Sequence, residues 1–145
     1  MWIEDVPNLM RFFLAFIALL GFMAATLALR EHYRTDTSPC SINEHWDCGI
    51  VNHSPFAVLA GVPVAVIGMA GYLLMGTLAL RRAYPLLLAA ALVGLAFSLY
   101  LAHIEKDILG VWCIYCVASL GVVFLLTLLT FGTIMFSRPR RSLTS

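Results

Sequence analysis

Four long apolar segments constrain the fold of this chain more than any other feature of its sequence. None of them contains Asp, Glu, Lys, Arg or His, and they run from Phe12 to Leu29, Pro63 to Leu80, Pro85 to Ala102 and Cys113 to Phe136. Each has the roughly 17 to 25 residues that an α-helix needs to cross a bilayer core of about 30 Å. Since the chain is 61% hydrophobic and only 12% charged, lipid must solvate much of its surface. The sequence predicts an all-α integral membrane protein, a bundle of four transmembrane helices.

The segments outside the four apolar runs are short, so a single membrane domain over residues 1–145 is predicted. The first run is too long, and its leader "MWIEDVPNLM" too acidic, for a cleaved signal peptide. Four retained spans place both termini on one side of the membrane. Arg and Lys divide six to three between the two sides, and the positive-inside rule assigns the richer side, with the termini, to the cytoplasm. We expect a multi-pass protein of the cell (inner) membrane.

The longest connection, residues 30–62, lies on the extracytoplasmic side in this topology. Its polar, turn-forming stretch "TDTSPCSINEHWDCG" carries Cys40 and Cys48. The next stretch, "HSPFAVLAGVP", predicts a short helix with Ser54 as N-cap, Pro55 at the first helical position and Gly61 as terminator. This helix is apolar enough to lie on the membrane surface as a lid.

A second cysteine pair, in "WCIYC", opens the fourth apolar run. Cys113 and Cys116 are three residues apart, so on a helix their side chains share one face and can form a disulfide or present two neighbouring thiols. The helix N-terminus favours the thiolate form of Cys113. All four cysteines lie on the extracytoplasmic side of the predicted topology, where disulfides persist. These features are typical of a thiol–disulfide exchange site.

The pairing of the four cysteines stays open, because four cysteines allow three connectivities. Two permanent bridges would make a structural, non-catalytic membrane protein. A zinc site is a further structural alternative, although the seven residues between Cys40 and Cys48 exceed the usual ligand spacing, and no metal is expected. A redox role uses several pairings, with each pair as a terminal disulfide and a link between pairs as the transfer intermediate.

Thiols release electrons in pairs, and these electrons need an acceptor. The chain has no haem or flavin signature, and Cys116 lies one helical turn deeper toward the hydrocarbon than Cys113. A lipid-soluble two-electron acceptor is therefore predicted, a membrane quinone of the menaquinone or ubiquinone type, bound beside Cys116.

The order of these motifs resembles the vitamin K epoxide reductase family. A widely spaced pair, "CSINEHWDC", is followed by Ser54 six residues after Cys48, and then by "CIYC" at the head of the fourth span. The resemblance covers most of the chain, roughly residues 12–136. It implies that Cys40 exchanges with a thioredoxin-fold partner, that Cys48 passes electrons to Cys113, and that Cys116 contacts the quinone. It also implies a position for Ser54 near the quinone site.

Two features distinguish this sequence from other members of the family that it resembles. Animal members hold the quinone carbonyls with an asparagine and a tyrosine, and Val64 and Leu120 stand at the matching positions here. Many bacterial relatives carry a fused thioredoxin-like domain, whereas a stand-alone bacterial-type homologue meets its partner in trans. Net disulfide formation in exported proteins is the expected role. Reduction of vitamin K epoxide or vitamin K quinone is the alternative activity.

Structural roles are predicted for the remaining polar residues near the spans and for the small residues of the third span. Glu105 to Asp107 and the histidines are predicted to be solvated loop residues. On the third span, small residues recur every four positions and predict a close helix-packing seam; they are Ala90, Gly94, Ser98 and Ala102.

Overall fold

Four long helices make up most of the protein. The computed structural model describes residues 2–33, 46–47, 50–51 and 53–137. The helices are α1 (Trp2–Tyr33), α2 (Val64–Leu80), α3 (Tyr84–Ile104) and α4 (Ile114–Ser137), and a π-helical turn (Glu105–Leu109) follows α3 directly. The predicted helical class is therefore confirmed.

Length and composition suit these helices to a bilayer. Three helical segments within the described residues are long and apolar enough to cross a membrane: Asn8–Tyr33, Tyr84–Leu109 and Ile114–Phe136. The helix α2 is also apolar but has only 17 residues. The structure thus has three to four helices of membrane-spanning character, as expected of a membrane protein.

The helices close into a bundle in which α1 contacts α2 and α4, and α3 contacts α2 and α4. Their facing sides form one apolar core, whose most deeply buried members are Leu14, Ala18, Ala79, Leu87, Ala91, Val123 and Leu126. Large apolar side chains on the outer faces stay exposed, as lipid contact requires; examples are Phe12, Leu73, Leu99 and Phe131.

Small residues set the distance between the helices. A Cβ built at Gly21 on α1 would lie 2.2 Å from Cε1 of Tyr72 on α2, so only glycine admits this ring. On α3, a Cβ at Gly94 would lie 3.2 Å from Cγ2 of Val123 on α4. The predicted packing seam is thus confirmed at Gly94. The two seam residues nearest the C-terminal end of α3, Ser98 and Ala102, instead line a pocket.

Polar contacts join α1 to the α2–α3 connection at one end of the bundle. Arg82 donates to Oδ1 of Asn8, and Nη1 of Arg11 donates to the carbonyl oxygen of Leu80 at 3.3 Å. These arginines therefore lie at the same end, as the predicted topology requires, and the dithiol lies at the start of α4, after the other end of α3.

The predicted lid helix is much shorter than expected. Only Pro55–Ala57 is helical, as a single 3-10 turn, and a hairpin of β1 (Val58–Leu59) and antiparallel β2 (Val62–Pro63) follows. Ala60 and Gly61 both have positive φ, 54° and 84°, which suits a two-residue hairpin turn and excludes helix continuation. The predicted role of Gly61 as helix terminator was therefore wrong: the helical turn ends at Ala57, and Gly61 belongs to the hairpin turn.

Candidate functional site

The Cys113–Cys116 dithiol lies where the π-helical turn passes into α4. Cys113 precedes the first residue of α4, and its carbonyl oxygen accepts the N–H of Val117 at 2.9 Å, which is the first hydrogen bond of that helix. Both cysteines carry thiol groups, and a hydrogen bond joins the two side chains. Cys113 is 0% exposed and Cys116 is half-buried. The two sulfurs thus share one site, as their spacing predicts.

A backbone contact fastens the cysteine-bearing loop to the residue before Cys113. Trp46 and Trp112 form an isolated parallel β-bridge, and the N–H of Asp47 donates to the carbonyl oxygen of Trp112 at 2.9 Å. In the sequence, Asp47 directly precedes Cys48. Cys40 and Cys48 themselves lie outside the described residues.

An apolar cluster seals Cys113. Val51 and Val111 are buried with it, and Leu109, Tyr115 and Cys116 pack against the three. Within the loop, the N–H of Ile50 donates to Oδ1 of Asp47 at 3.1 Å, and Asp47 is in turn bonded to Trp112. Thiol–disulfide exchange at Cys113 therefore requires either that this part of the loop moves aside or that a cysteine of the loop itself reacts with Cys113.

Glu105 is buried beside the dithiol, which corrects the prediction that it is a solvated loop residue. Its side chain is only 3% exposed. Its Oε2 accepts the backbone N–H of Cys113 at 3.3 Å, and its carboxylate is hydrogen-bonded to the Cys116 side chain. The next two residues of the same turn, Lys106 and Asp107, are exposed as predicted. Glu105 keeps α-helical backbone angles, and its N–H donates to the carbonyl oxygens of Leu101 and Ala102. Its side chain therefore continues the inward face of α3.

A pocket opens next to Cys116 between all four helices. Its empty space, counted out to the solvent on its open side, is about 940 Å³. Most of its walls are apolar, and those nearest the dithiol include Ile104, Leu109, Val117 and Leu120. A flat apolar ring with few polar atoms suits such walls, with the Cys116 thiol at its edge.

The few polar side chains in the pocket come from α1, from the segment before α2, from α3 with the turn that follows it, and from α4. They are His32, Ser54, Ser98, Glu105, Tyr115, Cys116 and Ser119. Ser54, predicted to lie near the site, does line the pocket, but its hydroxyl donates to the carbonyl oxygen of Val51 at 2.7 Å and caps no helix. Val64 and Leu120 also line the pocket, so these two positions present apolar surface.

Aromatic and imidazole rings pack around the pocket on two sides. The ring of Tyr72, 4% exposed, extends from α2, and its hydroxyl lies 2.7 Å from both the carbonyl oxygen and Oγ of Ser119. At the loop side, the rings of His32 and His53 stack with centroids 6.3 Å apart. His32 is thus half-buried against the pocket rather than a solvated loop residue.

Glu105 and His32 are the site residues that sequence reasoning missed. Both stand directly beside apolar runs, where a polar residue usually marks the water interface. One signal for Glu105 was available: an acid eight residues before Cys113 comes close to it if the intervening chain turns back. The helical period also places Glu105 on the face of Ser98, seven residues earlier, but it does not predict that the chain turns back and brings Cys113 against that face.

The fold and the site define a class: a helical membrane protein with a dithiol at the edge of an apolar pocket. The sequence model of the vitamin K epoxide reductase family matches residues 12–131. The chain therefore belongs to the vitamin K epoxide reductase family, whose members are oxidoreductases. The resemblance predicted from the cysteine motifs is confirmed.

Proposed function

We propose that this protein is a quinone-dependent thiol–disulfide oxidoreductase of the cell membrane. It oxidises a thioredoxin-fold partner supplied in trans and reduces a membrane quinone of the menaquinone or ubiquinone type. In the proposed topology all four helices span the bilayer, with both termini in the cytoplasm and the site on the extracytoplasmic side. The result is disulfide bond formation in exported proteins.

The observation that carries the proposal is the position of Cys116. It is hydrogen-bonded to Cys113 on one side and lines the apolar pocket between the four helices on the other. Oxidation of this dithiol releases two electrons and two protons, and a bound quinone supplies the acceptor for both as it becomes a quinol. The thiol that faces the pocket is therefore the one suited to contact the quinone.

The path of electrons to the dithiol follows from the sealed position of Cys113. A partner's thiol cannot reach a side chain that is 0% exposed, so a cysteine of the protein's own loop must carry the electrons inward. The bond between Asp47 and Trp112 joins the sequence neighbours of Cys48 and Cys113 and supports this assignment. Cys40 then exchanges with the partner, and Cys48 transfers electrons to Cys113.

Reduction of vitamin K epoxide is a second candidate, because the family takes its name from that activity. The apolar Val64 and Leu120 in the pocket make it the weaker one. A permanently bridged, non-catalytic protein would have no use for a pocket that exposes Cys116.

The test is quinone reduction by the purified protein in detergent, with a reduced thioredoxin-fold donor and either quinone type. Wild type and Cys116→Ala are compared, with Tyr100→Phe, an exposed position on α3, as a control variant that keeps both thiols. Vitamin K epoxide is offered in a parallel assay. We expect the wild type to reduce quinone and Cys116→Ala to lose the activity. A folded wild type that reduces neither quinone type with any donor would refute the proposal.

A further inference from the structure

We propose that Glu105 is the proton acceptor of the dithiol: its carboxylate takes the thiol proton of Cys116 and passes it to the quinone. This role rests on the proposed quinone-dependent reaction and assigns the residue that manages its protons. It makes Glu105 a catalytic residue, since its carboxylate touches the reacting sulfur.

The contacts of Glu105 meet the geometric requirement for a base. Its Oε2 accepts the Cys113 N–H at 3.3 Å, which fixes the carboxylate relative to the backbone of one reacting cysteine. The same carboxylate is hydrogen-bonded to the side chain of the other, Cys116. It also lines the pocket. A general base must lie within hydrogen-bond reach of the proton that it removes and of the place to which the proton goes.

The burial of Glu105 is difficult to explain by stability alone. Its neighbours Ile104 and Val111 are buried apolar residues, and burying a carboxylate among such groups is unfavourable unless it is well paired. The carboxylate has one backbone N–H and one thiol as its described donors, and a thiol is a weak donor. An apolar residue would fill this place more favourably. A π-helical turn begins at Glu105, and such turns are often found at functional sites.

The reaction requires a base at this place. A thiol becomes a good nucleophile only when it loses its proton, and the walls around Cys116 are mostly apolar. Two adjacent anions repel each other in a buried site, so Glu105 and Cys116 carry at most one negative charge between them, and the proton moves along their hydrogen bond.

Protons and electrons balance along this route. The Cys116 proton moves to Glu105 directly, and the Cys113 proton follows through the hydrogen bond between the two sulfurs. The S–S bond forms as both S–H bonds break. The electron pair and both protons are delivered to the quinone, which leaves as the quinol. No further oxidant or reductant is needed.

Other titratable groups surround the carboxylate. Cys113, Cys116 and Tyr115 face it from the start of α4, and His32 faces the same pocket from α1. On its own turn Lys106 and Asp107 are exposed, and Asp107 pairs with His103, its Oδ2 lying 2.7 Å from Nδ1. Asp107 therefore offers a matched control: an acid of the same turn that does not touch the dithiol.

The first test needs no quinone. The reduced full-length protein in detergent is alkylated with iodoacetamide over a range of pH, and modification of Cys116 is followed by peptide mass spectrometry. Near neutral pH, Glu105→Gln should slow the modification by about tenfold or more, since general base assistance contributes factors of roughly 100 to 10,000. The rates should converge at alkaline pH, where hydroxide removes the proton. Asp107→Asn should match the wild type.

The opposite result has a clear meaning. If Glu105 acts only as a nearby negative charge, its neutralisation favours the thiolate and Glu105→Gln alkylates faster near neutral pH. Equal or faster alkylation in the variant would overturn the inference. Glutamine keeps the size of the side chain and an oxygen for the Cys113 N–H, and thermal unfolding of each variant checks that the fold is kept.

The second test measures single-turnover reduction of a short-chain ubiquinone by the dithiothreitol-reduced protein. Glu105→Gln should slow the step by about 100-fold or more, and Glu105→Asp should restore part of the rate. A wild type that reduces quinone alongside an equally fast Glu105→Gln would overturn the role of Glu105 and leave the proposed function intact. A wild type that reduces no quinone would contradict the proposed function, and the alkylation comparison would then decide by itself whether Glu105 is the base.

Discussion

The hydroxyl group of Tyr72 on α2 lies 2.7 Å from both the carbonyl oxygen and Oγ of Ser119 on α4. Ser119 lines the pocket, so this contact braces the helix that carries the dithiol against a helix on the other side of the core. It also satisfies a hydroxyl that is buried in the bundle, where no water can replace the bond.

Tyr72→Phe removes this contact and leaves the ring in place. We expect it to lower the free energy of unfolding by about 1 kcal/mol, the usual net value of one hydrogen bond. Thermal unfolding in detergent measures the change. Tyr100→Phe is the matched control because Tyr100 is 57% exposed on the outer face of α3. Equal loss in both variants would contradict a specific brace.

Gly21→Ala adds a methyl group at the point where the Tyr72 ring lies against α1. The new Cβ would lie 2.2 Å from the ring, so either the helix or the ring must shift. Overpacking of this kind lowers the free energy of unfolding by about 1 to 3 kcal/mol. Reduced thermal stability is the expected result. At Gly71 on α2 a Cβ meets nothing within 4 Å, so Gly71→Ala should leave stability unchanged or slightly raised. A stable Gly21→Ala protein would show that α1 and α2 can separate without loss.

Val51→Ala should open the seal over Cys113. Val51 packs directly in the cluster that buries this thiol, and the truncation leaves a gap through which reagents can pass. Alkylation of Cys113 in the reduced protein should become several-fold faster, as read by peptide mass spectrometry. Its neighbour Ile50 is 49% exposed, and Ile50→Ala should have no effect. Unchanged protection in Val51→Ala would mean that another element seals the thiol.

Cys116→Ser should trap the transfer intermediate of the proposed relay. In this variant Cys113 can attack an oxidised Cys40–Cys48 pair, which forms a Cys48–Cys113 disulfide and releases the Cys40 thiol. Cys116 is no longer there to displace Cys48, so this disulfide should accumulate once the loop pair has been oxidised. Non-reducing peptide mapping detects the linked peptides, and the double variant Cys48→Ser, Cys116→Ser is the control that cannot form them. Only Cys40–Cys48 linkage in the single variant would argue against electron transfer from Cys48 to Cys113.

Leu120→Trp should fill the pocket beside Cys116. Leu120 is one of the apolar residues that line it, and a larger ring there competes with the quinone for space. The KM for quinone should rise about tenfold or more, since a loss of about 1.4 kcal/mol in binding already has that effect. Leu125→Trp, on the exposed outer face of α4, should keep the wild-type KM. Identical KM values for Leu120→Trp and the wild type would show that the quinone binds outside this pocket.

The sequence determined the helical membrane class, the family, and the positions of α2, α3 and α4 within a few residues, whereas α1 begins at Trp2, ten residues before the predicted span. These properties depend on local signals, namely charge-free apolar runs and cysteine spacing, which need no knowledge of the tertiary fold. The side-by-side placement of Cys113 and Cys116 also follows from helical periodicity. The assignment of redox roles to the four cysteines stays a prediction, and Cys40 and Cys48 lie outside the described residues.

The tertiary structure decided the features that depend on contacts between distant segments. The apolar hairpin of residues 58–63 replaced a predicted helix because Ala60 and Gly61 take positive φ. The hydrophobic pattern of the sequence does not encode these backbone angles. Glu105 became a buried neighbour of the dithiol because the chain turns back after α3 and brings Cys113 against it. Burial of a charged residue depends on what packs over it, and for Glu105 the partner is the start of another helix.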